Sequence, residues 1–277
     1  ESGSWSSMTW QEVGDDVTNQ AAGLLALGLE PEQRVGIAGE TSVVWILADL
    51  AVAVAGGAVT TVYASTGADD VAYILSDSDT RIIFAENEAQ VAKLREKKSE
   101  LGHLGKVILF NGTPEASDGD WVITLDDLRQ LGKEKLLAEP NVVAERAASV
   151  TGDQLATLIY TSGTTGKPKG VELTQSNWGY IGAALEGMGV LSVDDVQFLW
   201  LPLAHVFGSV LIAAQLQLGF VTAVDGRVPK IVENLPVVKP TFMGAVPRIF
   251  EKVYAGVNAQ VAADGGAGIC LSGRAAH

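Results

Sequence analysis

The chain has 277 residues, 47% of them hydrophobic and 19% charged, which supports one large α/β body or two domains and excludes a disordered polymer. Lys and Arg number 19 against 33 Asp and Glu, a formal charge of −14; this repels phosphate backbones, so no nucleic-acid partner is expected, whereas one phosphorylated small molecule needs only a local electropositive pocket. A single cysteine, Cys270, makes neither an internal disulfide nor a Cys-based zinc cluster, which fits a reducing cytoplasm and equally a secreted protein without disulfides.

Residues 1–20 have neither a basic start nor an apolar run, so no signal peptide is expected, and Glu1 in first place suggests a start inside a longer frame. Thr9-Trp10-Gln11-Glu12 reads as a capping box opening a helix whose apolar face is Val13, Val17, Ala21, Leu24 and Leu25. A strand is predicted over 34–38. The stretch 43–62 (VVWILADLAVAVAGGAVTTV) is membrane-like in length, but Asp49 near its middle would be costly in lipid and Ala and Gly dominate its second half. A buried helix over 42–55 followed by a buried strand over 59–63 is the better reading. A short helix over 69–76, a strand over 81–85, a charged helix over 88–101 and a strand over 106–110 continue the alternation. Strands separated by helices predict an α/β fold of parallel-rich sheets flanked by helices.

Segments 111–120 and 138–152 are less periodic and read as surface connections, with an approximate break between two α/β subdomains near 145–152. The pattern resumes with a strand over 155–160, a loop over 161–170, a helix over 175–187 and a strand over 196–201. A helix over 206–218, a strand over 220–224, a short helix near 230–235, a strand over 241–244 and a helix over 247–261 follow. The stretch 262–277 (AADGGAGICLSGRAAH) is atypical, with no helical or strand face; a flexible tail, a cloning scar and a shifted frame all remain open.

The strongest chemical signal is Tyr160-Thr161-Ser162-Gly163-Thr164-Thr165-Gly166-Lys167-Pro168-Lys169-Gly170. It follows an apolar strand, so it is delivered to the carboxyl edge where α/β folds place ligands. Its hydroxyls and backbone N–H groups can converge on an anion, Gly163 and Gly166 can take the positive φ that an anion nest needs, and two lysines add charge. It is not a Walker A loop: only Thr164 and Thr165 stand between Gly163 and Gly166, and Pro168 follows Lys167. The plain alternative is a flexible Gly/Ser/Thr surface loop. Its position after a buried strand, with both lysines, favours phosphate.

This segment resembles the phosphate-loop signature of adenylate-forming (AMP-binding) enzymes, the group of acyl-CoA synthetases, luciferases and peptide-synthetase adenylation domains. Trp200-Leu201-Pro202-Leu203-Ala204-His205-Val206-Phe207-Gly208 is similar to the family's next motif, and the segment from Val246 to Tyr254 (VPRIFEKVY) to one typical of long-chain fatty acyl-CoA synthetases. The stretch from Met8 to Ser65 also looks like that family's start. The resemblance runs through Tyr254 and covers about the first half of a complete enzyme, so the expected fold is an amino-terminal AMP-binding body over 1–261 with the carboxy-terminal domain absent.

The resemblance implies ATP-dependent formation of an acyl-adenylate from a long-chain fatty acid, followed by transfer to CoA. Thr161, Ser162, Gly163, Thr164, Thr165, Gly166, Lys167 and Lys169 would then hold the phosphates of ATP, with Thr164 reaching a bridging Mg²⁺ and Lys169 offsetting charge. His205 would orient carboxylate and α-phosphate, and Val206, Phe207 and Gly208 would border the acyl chain. A lone His beside Pro202 and Phe207 is otherwise most simply a hydrogen-bonded strand-end residue. The helix over 206–218 is apolar on nearly every face and reads as core, with Gly208 and Ser209 small enough to leave an acyl channel. Arg248 and Glu251 read simply as an exposed pair.

Several family parts are missing after His205: the aromatic-Gly-x-Thr-Glu segment, the ribose-binding Asp, the hinge and the adenylation Lys. Thr151-Gly152-Asp153 spells a downstream motif out of order and reads as a loop and cap. The expectation is therefore a long-chain fatty acid–CoA ligase by lineage whose 277 residues alone are incomplete and inactive. A non-catalytic relative binding nucleotide or acyl chains and an unrelated phosphate-binding ATPase are the alternatives. A cytoplasmic location is expected, with no transmembrane span and with peripheral membrane contact and oligomeric state left open.

Overall fold

The first helix starts where its capping box dictates: Thr9 Oγ1 accepts from the Glu12 N–H while the Glu12 carboxylate accepts from the Thr9 N–H, opening α1 (Trp10–Ala26). In this computed structural model, which describes residues 5–161 and 166–263, α1 is followed by β1 (Arg34–Gly39), α2 (Val43–Val54), β2 (Ala58–Tyr63), α3 (Ala68–Asp77), β3 (Ile82–Ala85), α4 (Glu88–Glu96) and β4 (Lys106–Leu109). A 3₁₀ turn at Ala116–Asp118 leads to β5 (Val122–Thr124), α5 (Leu125–Ala138) and α6 (Val142–Ala148). Then come β6 (Leu155–Thr161), β7 (Lys169–Thr174), α7 (Gln175–Met188), β8 (Val196–Leu199), α8 (Val206–Leu218), β9 (Val221–Val224), α9 (Ile231–Val238) and α10 (Pro247–Ala263).

A seven-stranded sheet has the order β5-β4-β3-β1-β2-β6-β7, parallel throughout except for the β6–β7 pair, and a second sheet pairs β8 with β9 in parallel. The inner strands of the large sheet are apolar on both faces because both are covered. Val35 and Ile37 of β1, with Ile82 and Phe84 of β3, enter one core, and the alternate residues Ala38, Ile83 and Ala85 enter the other. The first core holds α1, α2 and α5 and continues into β8 and α8; the second holds α3 and α4. The α1–α5 crossing is unusually close because glycines face backbone: a Cβ on Gly23 would strike the Leu128 carbonyl, and one on Gly132 the Asn19 carbonyl.

Several expectations need correction. The change of sheet does not fall near 145–152, because β6 pairs with β2 and carries the first sheet to β7; the second sheet begins at Val196. Within 138–152, read as a connection, α6 forms, and β5 and α5 occupy 122–138. Residues 169–170, read as loop, open β7, an exposed strand without apolar alternation in its first half. Segment 241–244 is not a full strand: it makes a single bridge, Gln197 to Phe242, with backbone hydrogen bonds from Thr241 and Phe242 to Val196 and from Phe198 to Phe242, and the Trp200 indole donates to the Gly244 carbonyl at 2.9 Å. Ala262 and Ala263, placed in the tail, extend α10, and 264–277 lie outside the described residues. Among the described residues no helix is long and apolar enough to cross a membrane, and 43–62 divides into α2 and β2 as read.

Candidate active site

The site is built at the carboxyl ends of β2, β6 and β8. Thr161 closes β6, is exposed, and pairs in antiparallel register with Lys169, so the loop signature is the connection of a hairpin with Thr161 and Lys169 at its base. Gly166 has φ +92°, the left-handed conformation that a side chain would oppose, as an anion nest requires. Lys167 and Lys169 are both exposed. Ser162, Gly163, Thr164 and Thr165 lie outside the described residues.

Below the loop, Tyr160 donates its hydroxyl to Asp77 of α3 at 2.7 Å. Its burial, and then that carboxylate, raise the phenol pKa well above its ordinary value. Tyr73, one turn earlier on α3, donates to the Pro168 carbonyl at 3.1 Å, and the Lys167 ammonium sits 4.6 Å from its ring centroid. The two rings meet edge to face at 6.5 Å.

His205 is the N-cap of α8. Its Nδ1 accepts from the Phe207 N–H at 3.2 Å, which assigns the ring proton of the neutral form to Nε2, and the side chain is exposed. That arrangement suits an orienting donor. Two threonines that the sequence reading did not single out, Thr61 inside β2 and Thr41 in the turn after β1, hold the His205 turn. Thr41 Oγ1 donates to the Leu201 carbonyl at 2.7 Å and accepts from the Leu203 N–H at 3.2 Å, and Thr61 Oγ1 donates to the Ala204 carbonyl at 3.2 Å. Both are buried. Thr61 is also the register partner of Ile159, two residues before Thr161, so the His205 turn rests on the strand end next to the base of the β6–β7 hairpin. The only available sequence signal was hydroxyls inside or just after buried strands.

Thr41→Val keeps the side-chain volume and leaves a buried N–H and C=O without this partner; the expected loss is about 1–3 kcal/mol, with Thr41→Ser close to wild type. Urea unfolding of the two variants checks it, and a Val variant as stable as wild type would show that the latch contributes nothing.

Gly208 packs against the turn that enters α8. It is buried, and a Cβ there would lie 2.5 Å from the Pro202 carbonyl oxygen, while Ser209 Oγ donates to the Leu203 carbonyl at 3.2 Å. Both small residues serve to press α8 onto its own entry turn. Val206 is exposed and Phe207 half-buried, and of α8 only Gly208, Leu211, Ile212 and Ala214 are buried, so the helix is not the all-round core element its composition suggested. Arg248 and Glu251 are exposed on α10, as read. Thr151-Gly152-Asp153 is a loop supporting α7, with the Gly152 carbonyl accepting from the Ser176 N–H at 2.8 Å. Among the described residues, no group of three or more His, Cys, Asp and Glu gathers as a metal site, and Thr164 lies outside them, so the side chains on view do not supply a cage for Mg²⁺.

The model of the AMP-binding enzyme family matches residues 2–275. The long-chain-fatty-acid–CoA ligase FadD15 of Mycobacterium tuberculosis is 32% identical over 91% of this chain, which spans 41% of that protein. The long-chain-fatty-acid–CoA ligase ACSBG2 of Rattus norvegicus is 30% identical over 93% of the chain and 39% of its own length. The chain thus spans about two fifths of the length of these curated relatives. The crystal structure of a long-chain-fatty-acid–CoA ligase (FadD1) from Archaeoglobus fulgidus superimposes with a TM-score of 0.76 at 19% identity, over 94% of this chain and 50% of that one. With the sheet topology and the placed motifs, these matches show that the chain belongs to the AMP-binding enzyme family and corresponds to its amino-terminal portion.

Proposed function

We propose that these residues form the phosphate- and carboxylate-binding part of an enzyme that activates long-chain fatty acids. The carboxylate oxygen attacks the α-phosphorus of ATP, pyrophosphate leaves, and the CoA thiol then attacks the acyl-adenylate and releases AMP. The supporting observation is the juxtaposition at neighbouring strand ends of the Thr161–Lys169 hairpin and the His205 turn, locked through Thr61. Thr161, Gly166, Lys167 and Lys169, with Ser162, Gly163, Thr164 and Thr165, are the proposed phosphate ligands. His205, donating from Nε2, is the proposed orienting group, and Val206 and Phe207 border the acyl chain. No covalent nucleophile is required; alignment and charge stabilisation carry the first step. Mg²⁺ bound with the nucleotide would neutralise phosphate charge. A cytoplasmic location with peripheral membrane contact belongs to the same proposal.

A second reading, nucleotide binding without turnover by these 277 residues alone, is favoured by their span of about two fifths of the curated relatives. One assay separates the readings. The purified protein is mixed with ATP, Mg²⁺, CoA and either a long-chain acid or an amino acid. Pyrophosphate release that requires the long-chain acid supports activation; nucleotide binding with no release supports the second reading. Release without any acid, or faster with the amino acid, overturns the first.

A further inference from the structure

One face of α3 supports both stems of the hairpin. Tyr73 and Asp77 stand four residues apart, hence on the same side of the helix. Asp77 receives the Tyr160 hydroxyl on the incoming stem, while Tyr73 reaches the outgoing stem twice, by its hydroxyl to the Pro168 carbonyl and by its ring to the Lys167 ammonium. The rings of Tyr73 and Tyr160 contact each other edge to face, and Gly170 packs on Tyr160 so closely that a Cβ would lie 3.1 Å from the ring carbon bearing its hydroxyl. Lys167 has an aromatic face as its described partner, although α3 carries Asp69, Asp70 and Asp77. A cation held on a ring face near the surface is held loosely enough to be exchanged for a stronger anionic partner.

We propose that Tyr73 is a positioning residue that sets the resting arrangement of Gly166–Pro168 and stores Lys167 on its ring, from which a bound polyphosphate withdraws it. The exchange rests on the phosphate-binding reading of the hairpin; the resting arrangement does not. Tyr73 touches no reacting atom. Its hydroxyl fixes the backbone of the stem and its ring fixes the charge, so the two contributions come apart by substitution.

Amide hydrogen exchange of segment 166–171 in the ligand-free chain tests this directly. Tyr73→Leu removes both contacts and is expected to speed exchange there by about fivefold or more, with β1 and β4 unchanged. Tyr73→Phe keeps the ring and loses only the Pro168 bond, so a smaller increase is expected, and it guards against a folding defect in the Leu variant. Lys167→Met should reproduce part of the Leu effect and add little to it in the double variant. Unchanged exchange in Tyr73→Leu, or fully additive effects of Tyr73→Leu and Lys167→Met, would overturn the assignment. The exchange of partner is read separately, by adding Mg²⁺ and inorganic tripolyphosphate to the wild type and to Tyr73→Phe. Protection of 166–171 in both supports withdrawal of Lys167 to phosphate. Absence of protection in both would sink the phosphate reading and the exchange with it, while leaving the resting role of Tyr73 standing on the ligand-free result.

Discussion

Asp49→Asn is expected to make the protein more stable by about 2–4 kcal/mol at pH 8 and to leave it nearly unchanged at pH 4. Asp49 lies in the middle of α2, and burial pushes its pKa up to about 7 from an ordinary value of 3.8. It has no hydrogen-bond or ion-pair partner among the described residues. One turn earlier, the Trp45 indole N–H is buried without a partner, so this face of α2 offers the half-buried carboxylate little compensation. The sign follows from linkage. Below pH 4 the group is protonated whether folded or unfolded and contributes nothing. Between about pH 4 and pH 7 the unfolded chain releases the proton that the folded chain keeps, so stability falls as pH rises. Above pH 7 the folded protein carries the cost of a partly desolvated charge, because Asp49 keeps some of its surface in solvent. The amide has no such charge at any pH. Urea unfolding of both proteins at pH 4.5, 6 and 8 measures the difference; a constant difference across that range would mean that Asp49 does not titrate abnormally.

Gly208→Ala is expected to destabilise by about 2–4 kcal/mol, although alanine in a helix is ordinarily better than glycine by about 1 kcal/mol. The new methyl would sit 2.5 Å from the Pro202 carbonyl oxygen and 3.2 Å from Leu203 Cα. The turn cannot retreat freely, because Thr41 holds Leu201 and Leu203 from the other side. Relief must therefore come from α8 or from the 202–205 backbone that carries His205. Under the proposed function, a displacement of about 1 Å at His205 lowers acyl-adenylate formation by about 10²-fold. Thermal unfolding and fatty-acid-dependent pyrophosphate release measure the two effects. A variant at least as stable as wild type would show that the turn yields without cost.

The loop proposed to bind phosphate was legible as a loop because its signal is written locally. Glycines, hydroxyls and lysines crowd into 161–169 directly after a buried strand, and the hairpin base formed by Thr161 and Lys169 lies there. What supports the site was not legible. Thr61 reaches Ala204 across 143 positions and Thr41 reaches Leu201 across 160, and no period or motif links such residues. The strand β7 was hidden for a different reason: its first half is exposed, Val171 included, and is held by pairing to β6 rather than by burying an apolar face. α6 and α5 were missed where charged residues blur a short apolar stripe, of which Leu125, Leu128 and Val143 are the buried members.

From its order of residues alone this chain specifies the start of α1, the alternation of buried strands with helices, and a Gly-, Thr- and Lys-rich connection after β6, since each depends on neighbours within a turn or a strand. Tertiary packing settles the rest. The fold sets Gly208 against the Pro202 backbone and Gly132 against the Asn19 carbonyl where α5 touches α1. Composition records how small a residue is, and only the folded contacts record what fills the space beside it.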